Sequence, residues 1–359
     1  TELNRVALMM EAQARSSESQ MMTNFAAIEG GRGFVGYTNT KPNKKNGYKI
    51  RYLSSDTDHK TWLTESSESS ALNEYPTYLC ASENTIFSLV GKNKSLMSRE
   101  VDYFVAGHDL KTGKLKYELP SEDSRYQYMY YEGYSAPGSS ETTLLGLYFN
   151  KGEKLMKAKS QGMIMHKINQ NGEEIEKKHI SRSRDVSKFL TSAQRSKIRD
   201  AGYIFFHQFI KSTDGKIYVV GEQYRKAVSA GGTALNVLAN GAGGAASPAA
   251  KLVVEDLFVF EFNEAFELQD VKVFDKTKSN IQMGPGSVYY SAQLLGQIAK
   301  SYGAFDYSYS QVNKADNNFS IFYTDYSKDK EKGEKKKTLK FYALTKGAEA
   351  EYAKDMISL

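Results

Sequence analysis

The sequence predicts an all-β protein, a β-propeller built from four-stranded antiparallel blades. Three observations lead there. Strand-length apolar runs recur in groups, glycine-bearing tight turns punctuate the groups, and aromatic residues abound while proline is scarce: 25 Tyr and 18 Phe against 6 Pro in 359 residues. Aromatic and β-branched side chains fit a pleated, half-buried surface, so this balance favours strands over extended linker.

Five groups share one plan of strand, polar loop, strand, tight turn and strand. The first reads FVGYTNT (34–40), YKIRYLSS (48–55), a DTDH turn and KTWLTE (60–65). The second is TIFSLVGK (85–92), DYFVAGHD (102–109) and LKYEL (115–119), and the third TLLGLYFN (143–150), GMIMHKIN (162–169) and EIEKKHI (174–180). In the fourth, GKIYVVGEQY (215–224) leads to LVVEDLFVFEF (252–262) and FELQDVKVF (266–274). The fifth has NFSIFYTDY (318–326), TLKFYAL (338–344) and a weaker EAEYAKDM. An aromatic-rich strand precedes four of them: YPTYLCAS (75–82), YQYMYYEGY (126–134), YIFFHQFI (203–210) and AFDYSYSQV (304–312). Thr112-Gly113, Asn171-Gly172 and Asp214-Gly215 supply the positive φ that tight hairpins require.

The second strands begin about 51, 58, 72 and 103 residues apart. Four-stranded units at such intervals are the mark of a propeller, in which each blade buries its two faces against its neighbours. Five blades are readable and five to seven are compatible with the length. The alternative is a β-sandwich or barrel, because counting strands does not establish radial closure. Residues 1–20 form an N-terminal segment, either a helix or a closing strand, and 21–359 form one propeller domain. Three insertions interrupt it. In 185–202, Val186, Phe189, Leu190, Ala193 and Ile198 recur along a helical face with Asp185 as N-cap. Residues 284–303 open with turn residues and hold a helix from about Tyr290 to Lys300. The third, 227–250, is AVSAGGTALNVLANGAGGAASPAA, with nine Ala, five Gly and no charge.

That neutral stretch lies in a loop between second and third strands, a set otherwise rich in lysine. Over 41–47, 92–100, 151–161, 225–251 and 328–340 the net charges are +3, +2, +3, +3 and +4, against +6 for the whole chain. In a propeller these loops gather on one face, with the connections that link blades. A long loop without secondary structure is functional or disordered, and the same lysines can equally be solvated hairpin tips that discourage aggregation. The functional reading takes Leu235, Val237 and Leu238 as an apolar contact. Arg225, Lys226, Lys251, Lys44, Lys45, Lys154 and Lys157 then form its electrostatic surround.

Chemistry is sparse. GHDLKTGKL (107–115) lacks the spacing and the Ser/Thr of a phosphate loop, and GYSAPGSS (133–140) lacks that of a serine elbow. The five histidines are scattered, with no H-x₃-H pair or acidic companion at ligand spacing; His108 and His166 occupy matching third-strand positions, which reads as recurrent packing. Cys80, the only cysteine, lies in an apolar run and reads as a buried hydrophobe. Neither a metal nor a cofactor is expected. Glu83, Glu132 and Asp306, with Tyr128, Tyr130, Tyr307 and Tyr309, could line a central channel and hold or cleave a glycan. They show no acid/base pair at a readable spacing, and the protein is read as non-enzymatic. The mild positive charge does not call for nucleic acid, and no apolar run is long enough for a transmembrane helix.

STDGKIYVVGEQYRKA (212–227), the aromatic first strands and the Lys/Asn-rich hairpins resemble secreted or periplasmic β-propeller proteins of Bacteroidota, whose function is unknown. Related envelope proteins include accessory subunits of the type IX secretion translocon, one of which plugs a channel mouth. The resemblance implies a periplasmic or cell-surface location after loss of a signal peptide. It also implies a protein partner, an envelope or outer-membrane complex, bound through the basic loop face, with a role in protein transport. A glycan-binding or glycan-cleaving propeller and a purely structural module are the other readings.

Overall fold

The computed structural model describes residues 24–39, 47–56, 60–66, 72–94, 101–136, 138–155, 157–201, 203–228, 249–313, 315–329, 336–347 and 351–357. They form an all-β protein of five four-stranded sheets. The first sheet is β1 (Asn24–Ile28), β2 (Gly33–Asn39), β3 (Tyr48–Ser54) and β4 (Thr61–Glu65). The second is β5 (Asn73–Ala81), β6 (Thr85–Asn93), β7 (Asp102–Asp109) and β8 (Leu115–Pro120). The third is β9 (Tyr126–Tyr134), β10 (Glu141–Asn150), β11 (Gly162–Asn169) and β12 (Glu174–Ser181). β13 (Tyr203–Lys211), β14 (Ile217–Val228), β15 (Ala249–Phe262) and β16 (Leu268–Phe274) make the fourth, and β17 (Ser279–Pro285) adds to β15. The fifth is β18 (Tyr307–Asn313), β19 (Asn318–Asp329), β20 (Lys336–Lys346) and β21 (Ala353–Ile357). In every sheet the strands lie in chain order, so each is a meander.

Burial follows strand order for a physical reason. The second strands β6, β10 and β14 are buried over almost their whole length, on both faces. Their sequences correspondingly centre on apolar runs (IF and LV, LLGLYF, IYVV) rather than on strict alternation. Fourth strands are sheet edges: β4 and β8 alternate exposed with half-buried residues, and β21 is exposed through most of its length. The foreseen turn glycines Gly113, Gly172 and Gly215 all have φ between 72° and 82°. Asp109 Oδ1 accepts from the N–H groups of Lys111 and Thr112, and Asn169 Oδ1 from those of Asn171 and Glu173, fixing two of those turns.

The details meet expectation unevenly. The first sheet has its own first strand, β1, which pairs residue for residue with β2; its short NFAAI carries too little aromatic signal to stand out. The expected 1–20 segment lies outside the described residues. Residues 185–202 divide into a 3-10 turn (Val186–Phe189) and α1 (Ser192–Ala201). Asp185 is not the helix N-cap: its Oδ2 accepts from Ser181 N at 2.8 Å, while Thr191 and Gln194 make reciprocal capping contacts one turn later. Residues 284–303 begin as the end of β17, pass through a 3-10 turn (Ser287–Tyr289) and form α2 (Ala292–Ser301), with Ser291 Oγ accepting from Leu294 N.

By its contacts the chain divides into two compact units, Thr1–Gly146 with Asn150–Gly152 and Met165–Lys177, and Leu147–Phe149 with Glu153–Ile164 and Lys178–Leu359. In the first unit Val35, Tyr37, Ile50 and Tyr52 of the first sheet pack on Ile86, Val90, Phe104 and Ala106 of the second. Arg32 adds hydrogen bonds from its guanidinium to the carbonyls of Ala81 and Ser82. Cys80 is buried, as expected, and burial raises its thiol pKa. In the second unit Tyr218, Val220, Leu257 and Val259 of the fourth sheet meet Tyr307, Ile321, Tyr323 and Leu344 of the fifth.

Cys80 on β5 has a specific neighbour. A Cβ built on Gly133 of β9 would lie 2.4 Å from its sulfur. Gly133→Ala is therefore expected to lower stability by about 1–3 kcal/mol through overpacking. Cys80→Ala should relieve part of that cost, giving a measurable coupling in a double-mutant cycle by urea unfolding. Additive effects would show that the two strands separate freely at this point.

Candidate functional site

The most deeply buried ionisable cluster among the described residues lies in the second unit, where the fourth sheet meets the fifth. Its members come from four places in the sequence. β13 slips by one residue against β14 between Phe206 and Gln208, leaving His207 as the bulged residue. Similar slips fall between Tyr78 and Cys80 in β5 and between Tyr307 and Tyr309 in β18. A bulge re-aims the side chain it carries. His207 Nε2 here lies 3.1 Å from Glu222 Oε2 of the neighbouring strand β14, without hydrogen-bond alignment.

Glu222 is 0% exposed and also accepts the Tyr307 N–H at 3.0 Å. Lys276, in the segment following β16, has a side chain 1% exposed and places Nζ 3.1 Å from Glu222 Oε1. The same ammonium donates to Asp306 Oδ2, which also accepts from Ser279 Oγ at 2.7 Å. His207 stacks on the Tyr307 ring with centroids 4.5 Å apart. Lys300 of α2 lies above that ring, its Nζ 3.3 Å from His207 Nδ1.

Burial disfavours every charge in this group, and mutual attraction decides which survive. Burial pushes Glu222 up, but Lys276, His207 and the Tyr307 N–H together bring it down to about 2. Burial pulls Lys276 down, yet Glu222 and Asp306 raise it above its usual value. Asp306 ends above the ordinary carboxylate range, because burial and the nearby Glu222 charge outweigh Lys276. Burial also lowers His207, against the pull of Glu222, and keeps its imidazole neutral at pH 7. The result is an ion-paired Glu222–Lys276 centre in which Asp306 protonates more readily than Glu222.

Groups buried this deeply tie the fourth sheet to the fifth. The tyrosines considered for glycan stacking are mostly buried as well. Tyr128 donates to Asp123, Tyr130 shares a 2.8 Å hydrogen bond with His166 Nδ1, and Tyr307 donates to Gln208 Oε1. Tyr309 alone of the four is exposed, stacked on Phe322. His166 has an acidic neighbour too: Nε2 is 3.4 Å from Glu174, which pairs with Lys177 at 2.6 Å. His166 and His207 thus each meet one carboxylate across a strand pair. Their partners stand on adjoining strands or hairpins, a relation that spacing along the chain does not reveal. His108 has no such partner; burial lowers it to about 4, and its ring packs edge-on against Tyr48. No group of three or more His, Cys, Asp or Glu suited to a metal occurs among the described residues.

The loop residues expected to meet a partner are distributed unevenly. Leu235, Val237, Leu238, Lys44 and Lys45 lie outside the described residues. Lys154 and Lys157 are exposed in the connection between β10 and β11. Arg225 and Lys251 are half-buried, and Arg225 bonds Glu255 Oε1 at 3.2 Å. Lys226 turns inward and donates to the carbonyls of Val288 and Tyr290 at 2.5 and 2.6 Å, and burial lowers its pKa. It pins the second helical insertion to the fourth sheet. That insertion also reaches the β10–β11 connection, where Gln293 Nε2 donates to Ala158 O at 2.6 Å. Tyr203 at the start of β13 donates to Lys157 O, and Arg182 holds Ser160. In this unit the third basic loop, the base of the fourth and α2 therefore adjoin one another.

These features define a class, an all-β protein of repeated four-stranded meanders with a sealed ionic centre. The chain belongs to DUF6770, a family of unknown function whose profile matches residues 2–359. No curated protein matches the sequence. Among solved structures the chain is similar to MPT-4, a mannose phosphorylase from Leishmania mexicana in complex with phosphate ion. Identity is 9%, the match covers 89% of this chain and 88% of that one, and the TM-score is 0.31. A likeness this loose carries no argument about activity. Among the described residues, no helix is long and apolar enough to cross a membrane.

Removing the central ammonium leaves two carboxylates buried without a counter-charge. Lys276→Met is expected to cost about 3–5 kcal/mol in urea unfolding, and K276M/E222Q/D306N to recover much of it. A single variant within about 1 kcal/mol of wild type, the scale of an exposed pair, would show that the cluster does not hold the sheets. Glu222, depressed from 4.5 to about 2, adds stability that is complete above pH 4.5 and lost as pH falls toward 2. Unfolding curves at pH 7, 4 and 3 should show that acid limb flattened in E222Q.

Proposed function

We propose that the five sheets are the blades of a closed β-propeller in the cell envelope, periplasmic or at the cell surface. In this reading it has no catalytic role and binds a protein partner through its second-to-third-strand loops. The observation that carries the reading is the coincidence of topology and charge. Because every sheet is a meander in chain order, the five basic segments are equivalent hairpins at the same end of their sheets. Together they hold a net +15 in a chain of net +6. Radial closure puts equivalent ends on one side of a disc, where such a charge steers an acidic partner and sets its orientation. In this reading the uncharged 227–250 segment supplies the apolar contact that docks against, or occludes, an opening in an outer-membrane secretion complex.

Catalysis is disfavoured by where the ionisable groups stand. The most deeply buried cluster joins two sheets, and three of the four tyrosines that could stack on sugar rings are buried.

Deleting residues 230–248 shortens one hairpin loop, so the chain should keep its circular dichroism spectrum and melting temperature. Recovery of the envelope partner by affinity purification from membranes of the source organism should be lost. Undiminished recovery would refute the role given to this loop.

A further inference from the structure

We infer that Lys276 and Asp306 become joined by an amide bond, the side-chain amine condensing with the carboxyl while Glu222 serves as the base. The inference is independent of the partner-binding reading above. The first observation is contact in a dry place. Lys276 Nζ is hydrogen-bonded to Asp306 Oδ2, so the acyl carbon Cγ lies one bond beyond that contact. The Lys276 side chain is 1% exposed, that of Glu222 0% and that of Asp306 12%. Phe205, Phe305 and Tyr307 are buried around His207 beside them. Free amines and acids do not condense appreciably in water, but partners held in good geometry react at effective concentrations of about 10⁵–10⁸ M.

The second observation is the third group. One carboxylate would make an ordinary ion pair with Lys276. Glu222 Oε1 stands 3.1 Å from the same nitrogen, within reach of its proton. Asp306 takes a proton more readily than Glu222, because burial and the Glu222 charge outweigh Lys276. The protonated acid is the form that an amine can attack. Both carboxylates keep Lys276 charged until it passes a proton to Glu222. The freed amine then attacks Cγ of protonated Asp306, a C–N bond forms, and the nitrogen sheds one further hydrogen. The C–O bond breaks, and the hydroxyl leaves as water with the proton held by Glu222, which takes up the one that the nitrogen shed. No electron changes hands and no co-reactant is consumed. Condensation also removes an ammonium and a carboxyl from a site where burying ionisable groups is costly.

The test is the mass of the purified full chain after complete denaturation. Wild type should be lighter than its sequence by one water. Trypsin should release residues 273–278 and 301–314 as one branched peptide, since an acylated Lys276 is not cleaved. D306A and K276R should keep the full sequence mass and release the two segments separately. E222Q, which keeps the shape of the side chain but not the base, should keep the full mass as well. Wild type at its full sequence mass would overturn the inference. So would an unlinked 301–314 peptide lighter by one water, the mark of a cyclic imide, or a water loss that persists in D306A. Water loss in E222Q would overturn the role given to Glu222. The wild-type masses decide the bond by themselves, so a variant that fails to fold does not obscure the result.

Discussion

Lys276 is the residue on which the architecture of the second unit turns. A buried ammonium is unfavourable in isolation, and here it is stable only because Glu222 and Asp306 are presented to it together. Glu222 belongs to the second strand of one sheet, and Asp306 stands just before the first strand of the next. The ion pair therefore fixes the relation between two sheets whose apolar contacts alone are non-directional. Neighbouring hydrogen bonds follow the same seam: Thr277 N and Oγ1 bond Asp325 Oδ1 and Tyr326 O, and Thr324 N bonds Asp306 O.

The same pair also closes a loop. Lys276 and Asp306 are 30 residues apart, and the chain between them contains β17, the 3-10 turn and α2. Closing its ends removes much of the freedom that an insertion of this length would keep. Lys226 and Lys300 then tie its middle and far end to the fourth sheet. Polar burial and surface presentation are thus two outcomes of one arrangement. Charges withdrawn from solvent hold a segment that carries two of the most solvent-exposed tyrosines in the described structure.

Most of the strands were readable from the sequence because burial on both faces leaves an unmistakable run, as in LVVEDLFVFEF, and because turn glycines mark the hairpins. β1 escaped notice: NFAAI is short and its aromatic content low. β17 was hidden for a different reason: SNIQMGP offers only Ile281 and Met283 as alternating apolar residues, and it pairs with β15 across the chain. Asp185 has the chemistry of an N-cap, but a nearer partner at Ser181 takes its carboxylate. The ionic centre was the hardest to foresee. Asp306 could be noticed as a carboxylate next to a first strand, but its partner Lys276 lies in an unremarkable DKTKSN linker. His207 meets Glu222 only because a bulge shifts the register by one. Spacing along a chain encodes neighbours within an element, whereas these contacts depend on how elements pair.

Why four ionisable groups should be kept where apolar packing would serve follows from the neighbouring geometry. β13, β14, the 275–306 segment and β18 converge there, and each brings backbone that a uniformly apolar seam would leave free to slide. An ammonium with two carboxylates, a stacked imidazole and the Tyr307 N–H admits one register. A shift of one residue would reverse which side chains face the seam and strand a charge without its partner. Register in turn sets where α2 rests, since Lys300 at its end meets His207 and Gly296 lies against Tyr224.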